Sequence, residues 1–291
     1  LFYAYQYILK VAPAIMIDDI REKFTIDATQ FGTFSGVYYI GYSLIHLPLG
    51  YWLDRFGPRL VVTFAILISL LGMVPLVYSD SWTMAVLGRF LLGAGSAGAI
   101  LGVFKVIRQE FPAHRFATLL GFSVTVGVMG AMYGGAPVEM LMRDHGWMDV
   151  SKGLIILGAV LAGVTFMVFS NHKKDHEPKN PPSLRDDISA LMRHKKVWWV
   201  ALCAALMVGP LEGFADVWGR SFLINVYGLS KETAAFAPSL MFIGMAIGCP
   251  LLARVSEKHN SFLSITRYAG LGMGILCILF LYFKLSVAIL Y

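Results

Sequence analysis

Charge is scarce in this chain. Of its 291 residues 57% are hydrophobic and only 14% are Asp, Glu, Lys or Arg, with a mean hydropathy of +0.66. Soluble globular domains carry about 25% charged residues, so this composition excludes one. Cysteine is nearly absent as well. Cys203, Cys249 and Cys277 all fall in apolar segments without paired spacing, which excludes a disulfide framework and a thiolate metal site and leaves reduced packing residues. There are no alternating segments of about ten residues, as a membrane β-barrel requires. A phosphate loop, a nucleophile elbow and a metal-spaced His/Cys set are missing too, so neither an enzyme nor an ATP-driven pump is expected, and no cofactor or metal. His172 and His176 are four apart, but they are flanked by lysines in a polar stretch and read as solvated. The net charge of +6 is gathered in loops, where it reads as membrane topology and gives no footprint for nucleic acid.

What is present is a series of apolar runs of roughly 18 to 25 residues, each long enough to cross a hydrocarbon core of about 30 Å. They predict an all-α polytopic membrane protein. Helices are expected at 1–17, 30–49, 60–78, 82–104, 116–142, 151–169, 197–217, 234–254 and 263–281, with the start of a tenth before Tyr291. Residues 18–29 read as a short charged loop. Residues 171–196 form the one long polar stretch, with Pro178, Pro181 and Pro182, and read as a linker. The expected organisation is a six-helix half at 1–170, a cytoplasmic linker at 171–196 and a partial second half at 197–291. Most lysines and arginines follow the second, fourth, sixth and eighth helices, so those loops are expected in the cytoplasm. Leu1 already lies in a hydrophobic helix with no basic region before it, so no cleavable signal peptide is expected and the native N-terminus is expected upstream.

The stretch Gly50-Tyr-Trp-Leu-Asp54-Arg55-Phe-Gly57-Pro-Arg59 puts an acidic-basic pair and two glycines between two apolar runs. Gly57 and Pro58 sharpen a turn, and Gly50 would let another helix approach closely. The pattern Gly-x-x-x-Asp-Arg-x-Gly-x-Arg resembles the signature loop between helices 2 and 3 of major facilitator superfamily transporters. The run Arg89-Phe-Leu-Leu-Gly93-Ala-Gly95 is similar to a second motif of that superfamily, in helix 4. The resemblance implies two six-helix halves, the second truncated here, with helices 1, 4, 7 and 10 lining a central cavity. It implies a gating role for Gly50, Asp54, Arg55, Gly57 and Arg59, with Asp54 meeting a later helix beyond this chain and unpaired without it. One departure bears on mechanism: Gly134-Gly135-Ala136-Pro137 lacks the Gly-Pro step of the drug-proton antiporters. Residues 7–16 and 31–42 resemble bacterial nutrient-uptake carriers, amino-acid carriers among them.

A charge inside lipid costs at least about 2.5–3.5 kcal/mol, so each one found there needs a reason. Lys10, Arg89 and Glu212 lie in predicted helices 1, 4 and 7, all about 7–11 Å inside the outer boundary. One reading is a solute and proton site. Arg89 would hold a carboxylate bidentately, Lys10 would act as a point charge, and Glu212, with Arg89, would couple protons. Tyr38 and Tyr42, with Tyr39, would hydrogen-bond a polar solute, or else pack. The other reading is that the three charges pair with one another and hold helices together. Glu139, near the outer end of helix 5, is expected to reach water by snorkelling. Together these residues point to a secondary carrier for an amino acid or carboxylate, working by alternating access as a proton symporter. An uncoupled facilitator is the neighbouring alternative, and a non-transporting receptor or scaffold the distant one. The expected setting is a monomer in a bacterial inner membrane, in contact with solute, protons and lipid.

Overall fold

The computed structural model describes residues 1–169, 189–190, 192–259 and 262–282, and no strand occurs among them. The first helix, α1, spans Phe2–Ile15 and contains Pro13. Residues expected as a loop instead form a second helix, α2, Ile17–Phe24. Ile20 and Phe24 are four apart and bury one face against the core beneath. Asp18 and Asp19 in its first turn and Arg21 and Lys23 in its last complement the helix dipole. Lys23 Nζ then donates to the carbonyls of Leu76 (3.1 Å) and Val77 (3.0 Å), closing the end of the next helix.

That helix, α3, runs Ala28–Tyr78 and opens on a reciprocal cap between Asp27 and Gln30. A single residue within it, Gly57 (φ 79°, ψ 165°), leaves helical geometry. The chain reverses there, as its contacts with α4, Trp82–Glu110, establish. Tyr38 and Leu49 meet Gly93 and Gly98, so the first limb runs with α4. Gly72, Ala65 and Val62 meet Leu92, Gly95 and Gly102, so the second runs against it. The ten-residue turn expected at 50–59 thus shrinks to one residue that only glycine adopts readily. Among the described residues none approaches Gly50 closely: a Cβ at that position would meet nothing within 4 Å. Gly41, Gly72, Gly93 and Gly95 make the tight seams instead, backbone against backbone.

Beyond α4 come α5 (Phe116–Gly134), α6 (Ala136–His145) and α7 (Trp147–Val168). The single helix expected at 116–142 is therefore broken at Gly135 (φ −84°, ψ −120°), with Pro137 starting α6. Residues 170–188 and 191, which hold most of the expected linker, lie outside the described residues, and Lys195 already begins α8, Lys195–Gly213. A π-helical turn, Phe214–Trp218, follows, and then α9, Gly219–Tyr227. The seventh helix was expected to stop at 217; it continues to Tyr227. Last come α10, Lys231–His259, and α11, Phe262–Tyr282; the expected start of a tenth segment lies outside the described residues. By length and composition, α3, α4, the broken α5–α6 and α7 suffice to cross a membrane.

The segment from α8 to α10 docks through α5 and α1. Thr125 Oγ1 donates to the carbonyl of Ala246 at 2.7 Å. Pro250 has no N–H to offer that carbonyl, so a threonine from α5 replaces the missing helical donor. Gly121 packs on Pro250 itself, and Gly130 and Gly134 admit Ala4 and Ile8 of α1. The other small-residue pair, Gly244 and Gly248, meets nothing within 4 Å among the described residues. Cys203, Cys249 and Cys277 are free thiols.

Candidate functional site

Lys10 and Glu212, distant in sequence, form an ion pair between α1 and the end of α8. The Lys10 side chain is only 6% exposed and that of Glu212 24%. Around them stand tyrosines: the Lys10 ammonium lies 4.9 Å from the Tyr7 ring centre and 5.7 Å from that of Tyr39. Tyr39 Oη also reaches the Glu212 backbone carbonyl at 3.4 Å. The π-helical turn begins two residues after Glu212, and Gly219 closes it. A Cβ at Gly219 would come within 2.6 Å of the Phe214 carbonyl, so the wide turn depends on glycine there. Single π turns occur often at functional sites, because they free backbone groups and rotate the residues on either side.

Arg89 turns to the backbone of α1. It is buried, and its guanidinium donates from Nη1 to the Leu9 carbonyl and from Nη2 to the Lys10 carbonyl, both at 3.2 Å. Its charge also lies over the rings of Tyr38 (4.6 Å) and Phe34 (5.5 Å). Arg89 therefore holds the segment of α1 that carries Lys10.

Tyr38 lies deeper in the bundle. It is buried in the core formed by α1, α3, α4 and α7, accepts from Gln6 Nε2 at 2.7 Å, and stacks on Tyr42 at 6.0 Å. Tyr42 is half-buried and packs on His46, whose Nδ1 donates to the Tyr42 carbonyl at 2.7 Å. The structure thus brings Lys10, Glu212, Tyr7 and Tyr39 into one cluster, with Tyr38, Tyr42 and Arg89 behind it. Gln6 and Tyr7 were not singled out from sequence, although Gln6 sits one turn before Lys10 in an otherwise apolar run. Two apolar hollows, of about 590 and 550 Å³, are not lined by Lys10, Arg89 or Glu212.

The stretch 50–59 lies at the opposite end of the first limb of α3 from α2. Asp54, expected to be unpaired, forms an ion pair with Lys105 of α4 at 2.6 Å, with a side chain 73% exposed. Arg55 Nη1 donates to Tyr51 Oη at 2.9 Å, and Arg59 lies 4.2 Å from the Phe166 ring centre. Each of these partners lies before residue 170, in the expected first half of the chain. At the α2 end, beyond the predicted end of helix 7, Arg220 binds Glu139. Following the apolar pattern of 219–227 as helix would have found Arg220; the position of Glu139 depends on the Gly135 break.

A family model described as Major Facilitator Superfamily matches residues 1–291. The chain is similar to the hexuronate transporter of Bacillus subtilis (strain 168), with 24% identity over 83% of this chain and 60% of that one. It is also similar to a probable L-galactonate transporter of Escherichia coli (strain K12), with 24% identity over 79% and 53%. The chain thus spans little more than half the length of these relatives. Among solved structures, the transporter FucP superposes with a TM-score of 0.66 at 16% identity, over 88% of this chain and 70% of that one, a likeness of fold.

Proposed function

The chain belongs to the major facilitator superfamily, and from that premise we propose that it moves a small organic anion, such as a sugar acid, across a membrane by alternating access. The observation that carries the proposal is the ion pair between Lys10 and Glu212, which joins the two parts of the chain inside the apolar bundle. An ammonium so little exposed to water needs a negative partner. With Glu212 ionised, the protein supplies that partner itself. With Glu212 protonated, the carboxylate of a solute would take its place beside Lys10, and the count of buried charges is unchanged. Binding of a proton and of an anion then favour each other, which is the linkage a symporter requires. Tyr39, partly buried beside Glu212, would meet a hydroxyl of such a solute.

Names of similar proteins support an acid over an amino acid, since the relatives include carriers of hexuronate and of L-galactonate. The end bearing Asp54 is assigned to the cytoplasm and the end bearing α2 to the outside, in a bacterial inner membrane, with the monomer as the working unit. A receptor or scaffold has no need of a buried, exchangeable ion pair. An uncoupled facilitator has no need of a titratable partner for Lys10.

The test uses the full-length protein in liposomes. Glu212→Gln keeps the shape and removes the titration. Exchange of galactonate or a hexuronate should persist, while accumulation driven by a pH gradient should be lost. If the variant still concentrates solute, Glu212 is not the proton carrier.

A further inference from the structure

A second bridge joins the two parts of the chain on the α2 side of the Lys10–Glu212 pair. Arg220, in α9, donates from Nη2 to Glu139 Oε1 at 2.8 Å and from Nη1 to the Ile15 carbonyl at 3.4 Å. Both partners are prepared by local structure. Ile15 is the last residue of α1, where carbonyls lack helical donors and the helix dipole is negative. Glu139 lies in the first turn of α6, which exists because the chain breaks at Gly135. Arg220 follows Glu212 by eight residues, about 12 Å along the helix. Between them, Trp218 packs on Gly32 of α3, where a Cβ would sit 3.2 Å from the indole ring. One turn further along α3, Gly36 is exposed with open space before it. Gly32, Gly36 and Tyr39 share one face of the helix, and Tyr39 reaches Glu212.

We propose that Arg220, held between Glu139 and the Ile15 carbonyl, is a latch that keeps the pathway closed on the α2 side and must release before solute can pass there. The proposal rests on the alternating-access reading above. The two bridges differ in how they part. Arg220 is 14% exposed and Glu139 30%, so water can rehydrate both as they separate. Lys10 is too buried for that and needs a replacement anion. The outer bridge therefore yields to thermal motion, while the inner one yields only to proton and solute together.

The test is made on the full-length carrier with its cysteines removed, Cys203, Cys249 and Cys277 among them, and a single reporter introduced as Gly36→Cys. In liposomes, a membrane-impermeant maleimide is applied from the α2 side. Arg220→Gln and Glu139→Gln should each raise the labelling rate roughly threefold or more by shifting the population toward the open form. The charge-swapped double variant Glu139→Arg with Arg220→Glu should reverse part of that rise, the remainder reflecting the lost bond to the Ile15 carbonyl and the opposed helix dipoles. Unchanged labelling in both single variants overturns the latch. So does a rise that the swap fails to reverse, since loosened structure and not the lost pair would then expose the reporter. Should a single variant fold poorly, the pair Glu139→Cys with Arg220→Cys replaces it. A short thiol-reactive bridge across that pair should stop transport until reductant is added, and transport undiminished by the bridge counts against the proposal. If the parent takes up no sugar acid, the solute assignment fails while the labelling comparison still judges the latch.

Discussion

Arg89 donates to the carbonyl that Pro13 leaves without a helical partner. In an unbroken helix the Leu9 carbonyl would accept from the N–H of residue 13, and proline has none. Arg89 Nη1 fills the vacancy, and Nη2 takes the next carbonyl, that of Lys10. The same substitution of a side-chain donor for a missing N–H recurs where Thr125 meets the Ala246 carbonyl, four residues before Pro250.

This relationship predicts a coupling between two positions in different helices. Arg89→Met should cost about 1–3 kcal/mol, the penalty of an orphaned buried acceptor. In a Pro13→Ala background, which restores the N–H, the same substitution should cost clearly less. Thermal unfolding of the four proteins in detergent forms a double-mutant cycle. Equal losses in both backgrounds would show that Arg89 serves something other than the proline gap.

Lys10→Met should leave Glu212 as an uncompensated charge and destabilise the protein by about 3–5 kcal/mol. Adding Glu212→Gln should recover much of that loss, because no charge is then stranded. The double variant should nonetheless bind no organic anion in a thermal-shift or calorimetric titration. Retained anion binding would move the solute site away from Lys10.

Glycines in one helix should respond in opposite ways. Gly41→Ala and, across the seam, Gly93→Ala drive a methyl into the backbone of the facing helix and should cost about 1–3 kcal/mol or more. Gly36→Ala and Gly50→Ala meet open space and should be neutral or stabilising by up to about 1 kcal/mol. Melting temperatures of the four variants would check this. Loss at Gly50 comparable to that at Gly41 would imply a helix packed against Gly50.

At the gating motif, Asp54→Asn should change stability by less than about 1 kcal/mol, because its pair with Lys105 is largely solvated. Turnover in the intact carrier should still slow, with solute affinity kept, if Asp54 exchanges Lys105 for a partner in the other half during the cycle. Gly57→Ala is a separate case. Its backbone geometry is one that alanine resists, and about 1–3 kcal/mol of strain is expected in the melting curve.

The sequence by itself determined the membrane setting, the family resemblance and the three charges that needed explaining. Those conclusions rest on apolar length, on a motif spaced along one stretch of chain, and on the cost of charge in lipid, all of which are local. Lys10, Arg89 and Glu212 were legible because each interrupts a run of apolar residues. Tertiary structure alone decided that Lys10 meets Glu212 while Arg89 turns to the α1 backbone, and that Asp54 meets Lys105. A helix that is apolar all round carries little periodic signal for which face meets which neighbour, so partners depend on helix crossings that local pattern does not encode. The helix ends failed for a related reason. Inside an apolar bundle, packing let α9 continue past a π turn and made a helix of charged α2, where composition by itself argued for a stop and a loop.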